Sequence, residues 1–356
     1  MTKVKIGLAI ALMVVSLVAS ACSSMGVAKP TEQEIVINPA EITPDQEGTQ
    51  PPTATLRPTP APATPTLAPE NPSISATPTI TLNPYDTLIV NGAEFFTNGD
   101  YDSALTTVNE AIAMDPNKAA GYYYRGRIYD AQQKYDESIT AFNFALNYDP
   151  NYTEAYVARG IIWTIKEQYS QAIRDFTKAL EFNPQLVSAY SNRAIAYLTQ
   201  QTEETAVKAF EDFTKAIELA PDRPDVYFNR GQAYFVTNQM DLAVTDLTKA
   251  VELDATQTGG FILRGQALAA MGEYAKAIDD FNAALKLDEK LPNPYLYRGM
   301  AYAAMGERDK GIEDARKAVE LAEEPEFKQS AQEILDDLLQ ATPIPSPTPA
   351  LTTPTP

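Results

Sequence analysis

The chain of 356 residues is 44% hydrophobic and 21% charged, with a formal charge of −19, one cysteine and no histidine. That acidity, unbroken by any basic run, repels phosphate backbones and anionic lipid heads and argues against nucleic acid as a partner. One thiol and no imidazole exclude an internal disulfide, Cys/His zinc sites and every histidine-based triad; a carboxylate-only site stays open, but the expectation is a non-catalytic protein with no metal, no cofactor and no small-molecule substrate.

The first predicted element is an address. Lys3 and Lys5 precede an apolar run from Ile6 to Ala21. As a helix it would span about 24 Å, short of a ~30 Å hydrocarbon core, so residues 1–21 read as an export signal and not as a permanent span. The run ends Leu17-Val18-Ala19-Ser20-Ala21-Cys22, and Cys22 is the only thiol in the chain. This ending resembles the lipobox of bacterial lipoproteins, which implies a lipidated Cys22 and an extracytoplasmic, membrane-anchored protein of the bacterial cell envelope. The usual leucine three residues before the cysteine is here Ala19. Ala19-Ser20-Ala21 also satisfies the small-x-small rule of ordinary signal peptidase, so release as a secreted soluble protein stays open.

Residues 22–84 then form a Pro/Thr-rich linker. Of 27 prolines, 13 lie between Pro30 and Pro84 and six more between Pro343 and Pro356. Such stretches lack the apolar content to offset their ordering entropy, so this linker and the segment 342–356 are expected to be disordered spacers. A glycosylated stalk is the alternative.

Between the two spacers the sequence repeats itself. Gly92, Gly126 and Gly160 are 34 residues apart, then Ala194, Gly231, Gly265 and Gly299 follow at 34, 37, 34 and 34. Ala111, Ala145, Ala179, Ala216, Ala250, Ala284 and Ala318 keep the same intervals, and Pro116, Pro150, Pro184 and Pro221 form a third series. Glycine and alanine at a fixed period inside helical patterns mark close approaches between helices, with aromatics filling the adjoining space. Gly99, Gly272 and Gly306 stand where the first helix of a unit must turn.

The first-helix motif, as in Tyr122-Tyr-Tyr-Arg-Gly-Arg-Ile-Tyr129, and the second, as in Ala277-Ile-Asp-Asp-Phe-Asn-Ala-Ala284, resemble the tetratricopeptide repeat, TPR. The resemblance implies an all-α, right-handed α-solenoid of seven helix-turn-helix units: 85–118, 119–152, 153–186, 187–223, 224–257, 258–291 and 292–325. Three extra residues between Ala194 and Ala209 fall most simply in a turn around Gln200–Thr205. Residues 326–341 read as a capping helix over the last apolar face.

Arginine recurs in the first helices (Arg125, Arg159, Arg193, Arg230, Arg264, Arg298) and aspartate in the second (Asp175, Asp212, Asp246, Asp280, Asp314). The expected reading is a structural ion pair within each unit, with Arg125 facing Ala141 and seeking another acceptor.

The resemblance further implies that first helices line a concave groove that holds a partner protein or peptide. The positions so placed are Phe96, Tyr123, Arg127, Ile161, Phe228, Gln232, Phe235, Ile262, Gln266 and Met300, flanked by Ile89, Ile165, Ile195, Leu198 and Leu296. The expected function is a protein–protein interaction scaffold tethered to the cell envelope. The alternative is a surface-displayed structural or adhesion protein on its stalk.

Overall fold

A computed structural model describes residues 83–200 and 202–340. Among them are fifteen helices. They fall into two compact units, divided between Pro150 and Asn151. The first unit holds α1 (Pro84–Thr97), α2 (Tyr101–Met114), α3 (Ala119–Ala131) and α4 (Tyr135–Tyr148). The second holds α5 (Thr153–Ile165), α6 (Tyr169–Phe182), α7 (Val187–Leu198), α8 (Glu203–Leu219), α9 (Pro224–Val236), α10 (Met240–Leu253), α11 (Thr258–Ala270), α12 (Tyr274–Leu287), α13 (Pro292–Ala304), α14 (Arg308–Leu321) and α15 (Pro325–Gln340).

Within each unit odd-numbered helices pair with the even-numbered helix that follows, and each pair packs on the next. In the second unit, first helices of successive pairs also touch: α5 with α7, α7 with α9, α9 with α11 and α11 with α13. The periodic small residues explain how. A Cβ added to Gly126, Gly160 or Gly265 would lie 2.6–2.7 Å from the ring of Phe142, Phe176 or Phe281 on the paired helix. Those three rings are completely buried, as are Ala145, Ala179 and Ala284 one turn further on. The glycine makes the slot and the aromatic fills it. In the last pair the filling residue shrinks to Ala315, and the helix backbones meet directly: a Cβ on Gly299 would lie 2.9 Å from the carbonyl oxygen of Gly311. Gly311, which stands where Ala172, Ala209, Ala243 and Ala277 stand in other repeats, is therefore the reciprocal half of that close approach. Ser138 takes the same place in the second pair and donates its hydroxyl to the Gly126 carbonyl at 2.8 Å.

In six of the seven pairs the turn between the two helices places one described residue at positive φ. Gly99, Gly272 and Gly306 supply it at 78°, 82° and 88°. In the equivalent places Gln133 and Glu167 are forced to 59° and Asn238 to 60°. A left-handed conformation costs an ordinary L-residue about 1–2 kcal/mol, and both Gln133 and Glu167 are exposed. Gln133→Gly and Glu167→Gly are each expected to stabilise the chain by about 0.5–1 kcal/mol, measured as a higher melting temperature by circular dichroism.

The three-residue insertion is not held in a turn. α8 is 17 residues long where every other second helix has 14. The extra residues start the helix almost a turn early. Thr202 caps them, its hydroxyl accepting from the Thr205 amide at 3.2 Å, with Thr205 reciprocating, and Glu203 and Glu204 stand in the first turn. An oxygen cap and early carboxylates favour helix over loop.

Between pairs, a short Asp or Asn turn recurs: Asp115, Asn183, Asp254 and Asp288 accept from the amides of Asn117, Gln185, Thr256 and Lys290 at 2.9–3.2 Å. At the far end α15 closes the stack. Its Ala331 packs with Leu296, Met300 and Ala318, and its Leu335 and Leu338 pack on Ala315. Arg308 reaches from α14 to the carbonyls of Leu338 and Leu339 at 2.6 and 2.8 Å, satisfying acceptors that the end of a helix leaves bare.

Candidate functional site

The arginine–aspartate series is built as a fork. Arg159, Arg193, Arg230, Arg264 and Arg298 each bind both carboxylate oxygens of Asp175, Asp212, Asp246, Asp280 and Asp314, at 2.6–2.9 Å. The third nitrogen points elsewhere. In four of them it donates to the second helix of the preceding pair: Arg193 to Thr177, Arg230 to Thr214, Arg264 to Thr248 and Arg298 to Asn282, at 2.6–3.3 Å. One guanidinium therefore joins three helices.

An aromatic ring lies beneath most of these arginines, as Tyr295 does for Arg298 at 5.4 Å. Burial alone would pull the Arg193 guanidinium down, and its bonds to Asp212 more than restore it. Burial pushes the Asp212 carboxyl up in spite of Arg193, so much of the attraction is spent on desolvation. These groups hold the array together and are not aimed at a ligand. Arg125, opposite Ala141, finds no second acceptor of the kind expected: its buried Nε has no hydrogen-bond partner, and the guanidinium lies over the Tyr122 ring at 5.0 Å.

The anticipated binding residues divide by accessibility. Cys22 lies outside the described residues. In the first unit Phe96, Tyr123 and Arg127 are half-buried and mutually engaged. Arg127 stacks on Phe96 at 5.7 Å and Tyr123 at 5.9 Å and donates to the Tyr123 hydroxyl at 2.9 Å. Burial would lower its pKa, but Tyr123 and Asp130 outweigh that and raise it. The cation is thus committed to its own neighbours.

In the second unit Ile161, Phe235 and Met300 are only 8%, 5% and 7% exposed, which corrects their placement on an open wall. Ile161 packs against Ala172, Phe176 and Ala196, and Phe235 against Ala243, Leu247 and Ala267. Met300 sits beneath the α15 residue Ala331. Each is covered by the neighbouring helix pair or by the cap. Ile89, Ile195 and Leu296 are buried likewise, while Ile165 is exposed and Leu198 half-buried.

A neutral strip on α9 and α11, Phe228, Gln232, Ile262 and Gln266, is half-buried like Phe96, Tyr123 and Arg127, but it carries no cation. Gln266 hydrogen-bonds the Tyr297 hydroxyl, whose pKa burial pushes up to about 12 against that bond. Two buried amides lie on α7 and α9 as well. Asn192 and Asn229 are 3% and 8% exposed, and the side-chain nitrogen of each lacks an acceptor. Among the described residues no group of three or more acidic or cysteine side chains could hold a metal ion. No helix among them is long and apolar enough to cross a membrane.

Family models place this architecture. One described as TPR repeat matches residues 164–201 and 265–306, and others described as tetratricopeptide repeat match 91–163, 224–257 and 294–325. Together they span more than half of the chain. The chain belongs to the tetratricopeptide repeat proteins. TPR proteins are protein-interaction scaffolds, and no enzyme-related family is found.

Solved structures agree on the TPR fold. A tetratricopeptide repeat protein from Parabacteroides merdae is 21% identical with a TM-score of 0.54, over 72% of this chain and 98% of that one. PilW, a type IV pilus biogenesis factor, is 18% identical with a TM-score of 0.53, over 57% and 92%. A chain of an APC/C hetero-tetramer is 19% identical with a TM-score of 0.57, over 72% and 49%, so this TPR chain spans about half its length. A search of curated proteins finds no match.

Proposed function

We propose that this TPR protein is a non-catalytic scaffold held at the outer side of a bacterial membrane by lipid on Cys22, where it binds a partner protein through the first helices of residues 151–340. The observation that carries the reading is the strip Phe228, Gln232, Ile262 and Gln266, which stays partly accessible and uncharged in a protein of net charge −19. Apolar and amide groups left open on an otherwise acidic surface favour a peptide strand or helix over an ionic ligand. The lipid tether rests on the position of Cys22 behind its apolar leader, and the Pro/Thr-rich linker would hold the repeats away from the bilayer.

Fractionation of producing cells, followed by crosslinking and mass spectrometry, tests both halves. Cys22→Ala is expected to move the chain from membranes to the soluble fraction. Phe228→Ala combined with Gln232→Ala is expected to leave it on membranes, keep its helical signal and reduce partner crosslinks at least tenfold. Undiminished crosslinks would put the binding face elsewhere, and membrane retention without Cys22 would dismiss the lipid tether.

A further inference from the structure

We infer that the first-helix face formed by α7, α9 and α11 takes up the chain's own segment 342–356, which would make this segment a competitor of outside partners. The inference rests on the reading of that face as a binding surface. Asn192 and Asn229 occupy the same place in successive repeats, and each keeps a side-chain nitrogen away from water with no acceptor. The Ser191 hydroxyl, next to Asn192, is in the same state. A buried donor without an acceptor costs about 1–3 kcal/mol, so two amides in register are a standing deficit that a ligand carbonyl would relieve once the side chain turns outward.

The surroundings say what kind of carbonyl. Phe228 lies beside Asn229, and the residue facing its ring from α11 is the exposed Gly259, whose added Cβ would still be 3.8 Å away. A half-buried ring that packs on Phe235 and Leu247 but has a glycine, Gly259, for a neighbour on α11, with the Asn229 and Gln232 amides close in sequence, suits a neutral extended strand rich in acceptors.

Segment 342–356 has that chemistry. Its fifteen residues include six prolines and no charged side chain. Each proline removes an N–H and keeps a carbonyl, so acceptors outnumber donors. Proline-rich strands favour the polyproline II form, which docks on aromatic rings. The segment also starts close by. It follows α15, which packs on α13 and α14. At ~3.1 Å per residue it reaches roughly 45 Å. Counted from α15 at ~8–10 Å per helix layer, α9 lies three layers away, on the order of 27 Å, and α7 four, on the order of 36 Å, so both fall within that reach.

The test uses the full chain with all six prolines from Pro343 to Pro356 changed to serine, and a fluorescent synthetic peptide of residues 342–356 followed by anisotropy. The serine chain is expected to bind the peptide. The unaltered chain should bind it about tenfold more weakly, since a tethered competitor acts at an effective concentration near millimolar. Adding Asn192→Leu and Asn229→Leu to the serine chain should weaken binding at least tenfold with helical content unchanged.

Equal binding by serine and unaltered chains would overturn the inference, as would no binding by the serine chain at millimolar peptide. Competition that grows with protein concentration would overturn occupancy within one chain and assign the segment to a second copy. If competition fails while the Phe228 and Gln232 substitutions still abolish partner crosslinks, only this inference falls.

Discussion

Gly299→Ala is expected to destabilise the C-terminal repeat by about 2–3 kcal/mol, although alanine is the better helix former by nearly 1 kcal/mol. The reason is what the new methyl group meets. Its nearest neighbours are the Gly311 carbonyl oxygen at 2.9 Å, the Asp314 Cβ at 3.1 Å and the Ala315 nitrogen at 3.4 Å. None of these can swing aside without moving α14, and α15 is seated on α14 through Ala315 and Ala318. Gly92→Ala is the matched control. Its added carbon meets a Val108 methyl at 2.7 Å, with backbone no nearer than 3.6 Å. A side chain can yield there, and a cost of about 1 kcal/mol or less is expected. Hydrogen exchange separates the two, since repeat arrays lose structure locally. In Gly299→Ala protection should fall in α13–α15 first, and equal, small effects for both variants would refute the backbone-contact account.

Removing Asp280 alone should cost about 2–4 kcal/mol, because it strands the Arg264 guanidinium between helices. The side chains of the pair are 18% and 7% exposed, which places the expectation below that for a fully enclosed charge. The double replacement Arg264→Asn with Asp280→Thr installs the residues that Asn91 and Thr107 supply in the first repeat. It is expected to cost about 1 kcal/mol, leaving a coupling of at least roughly 1.5 kcal/mol in a double-mutant cycle by urea unfolding. Coupling within error of zero would mean that the fork is incidental to stability.

Much of this architecture is legible in the sequence because its cause is local and periodic. Gly126, Gly160 and Gly265 recur where a ring from the paired helix must fit, and spacing alone reveals a slot that every repeat needs. The arginine–aspartate pairs are legible for the same reason. The third contact of the fork, to Thr177, Thr214, Thr248 or Asn282, is not, since threonine and asparagine on a helix surface carry no signal of their own.

The face of the first helices is the least legible part. Residues at Phe228, Gln232 and Phe235 share one helical stripe, yet Phe235 is buried while Phe228, packed on the same cluster, and Gln232 stay partly accessible. Coverage depends on how closely Ala267 and Leu263 of the next pair approach, which is a matter of packing between repeats and not of period. The lengthened α8 was obscured by ordinary counting. Three added residues look like loop until Thr202 is recognised as a cap.

The fork has one more implication. Both members of each ion pair from Arg193 to Arg298 belong to a single repeat, and only a neutral hydroxyl or amide contact passes to the repeat before it. Cutting between two repeats therefore severs no charge from its counterion. A gene could duplicate or drop a whole unit of this stretch and still encode a chain in which every fork aspartate keeps its arginine, so array length is something evolution can vary here without first repairing those pairs.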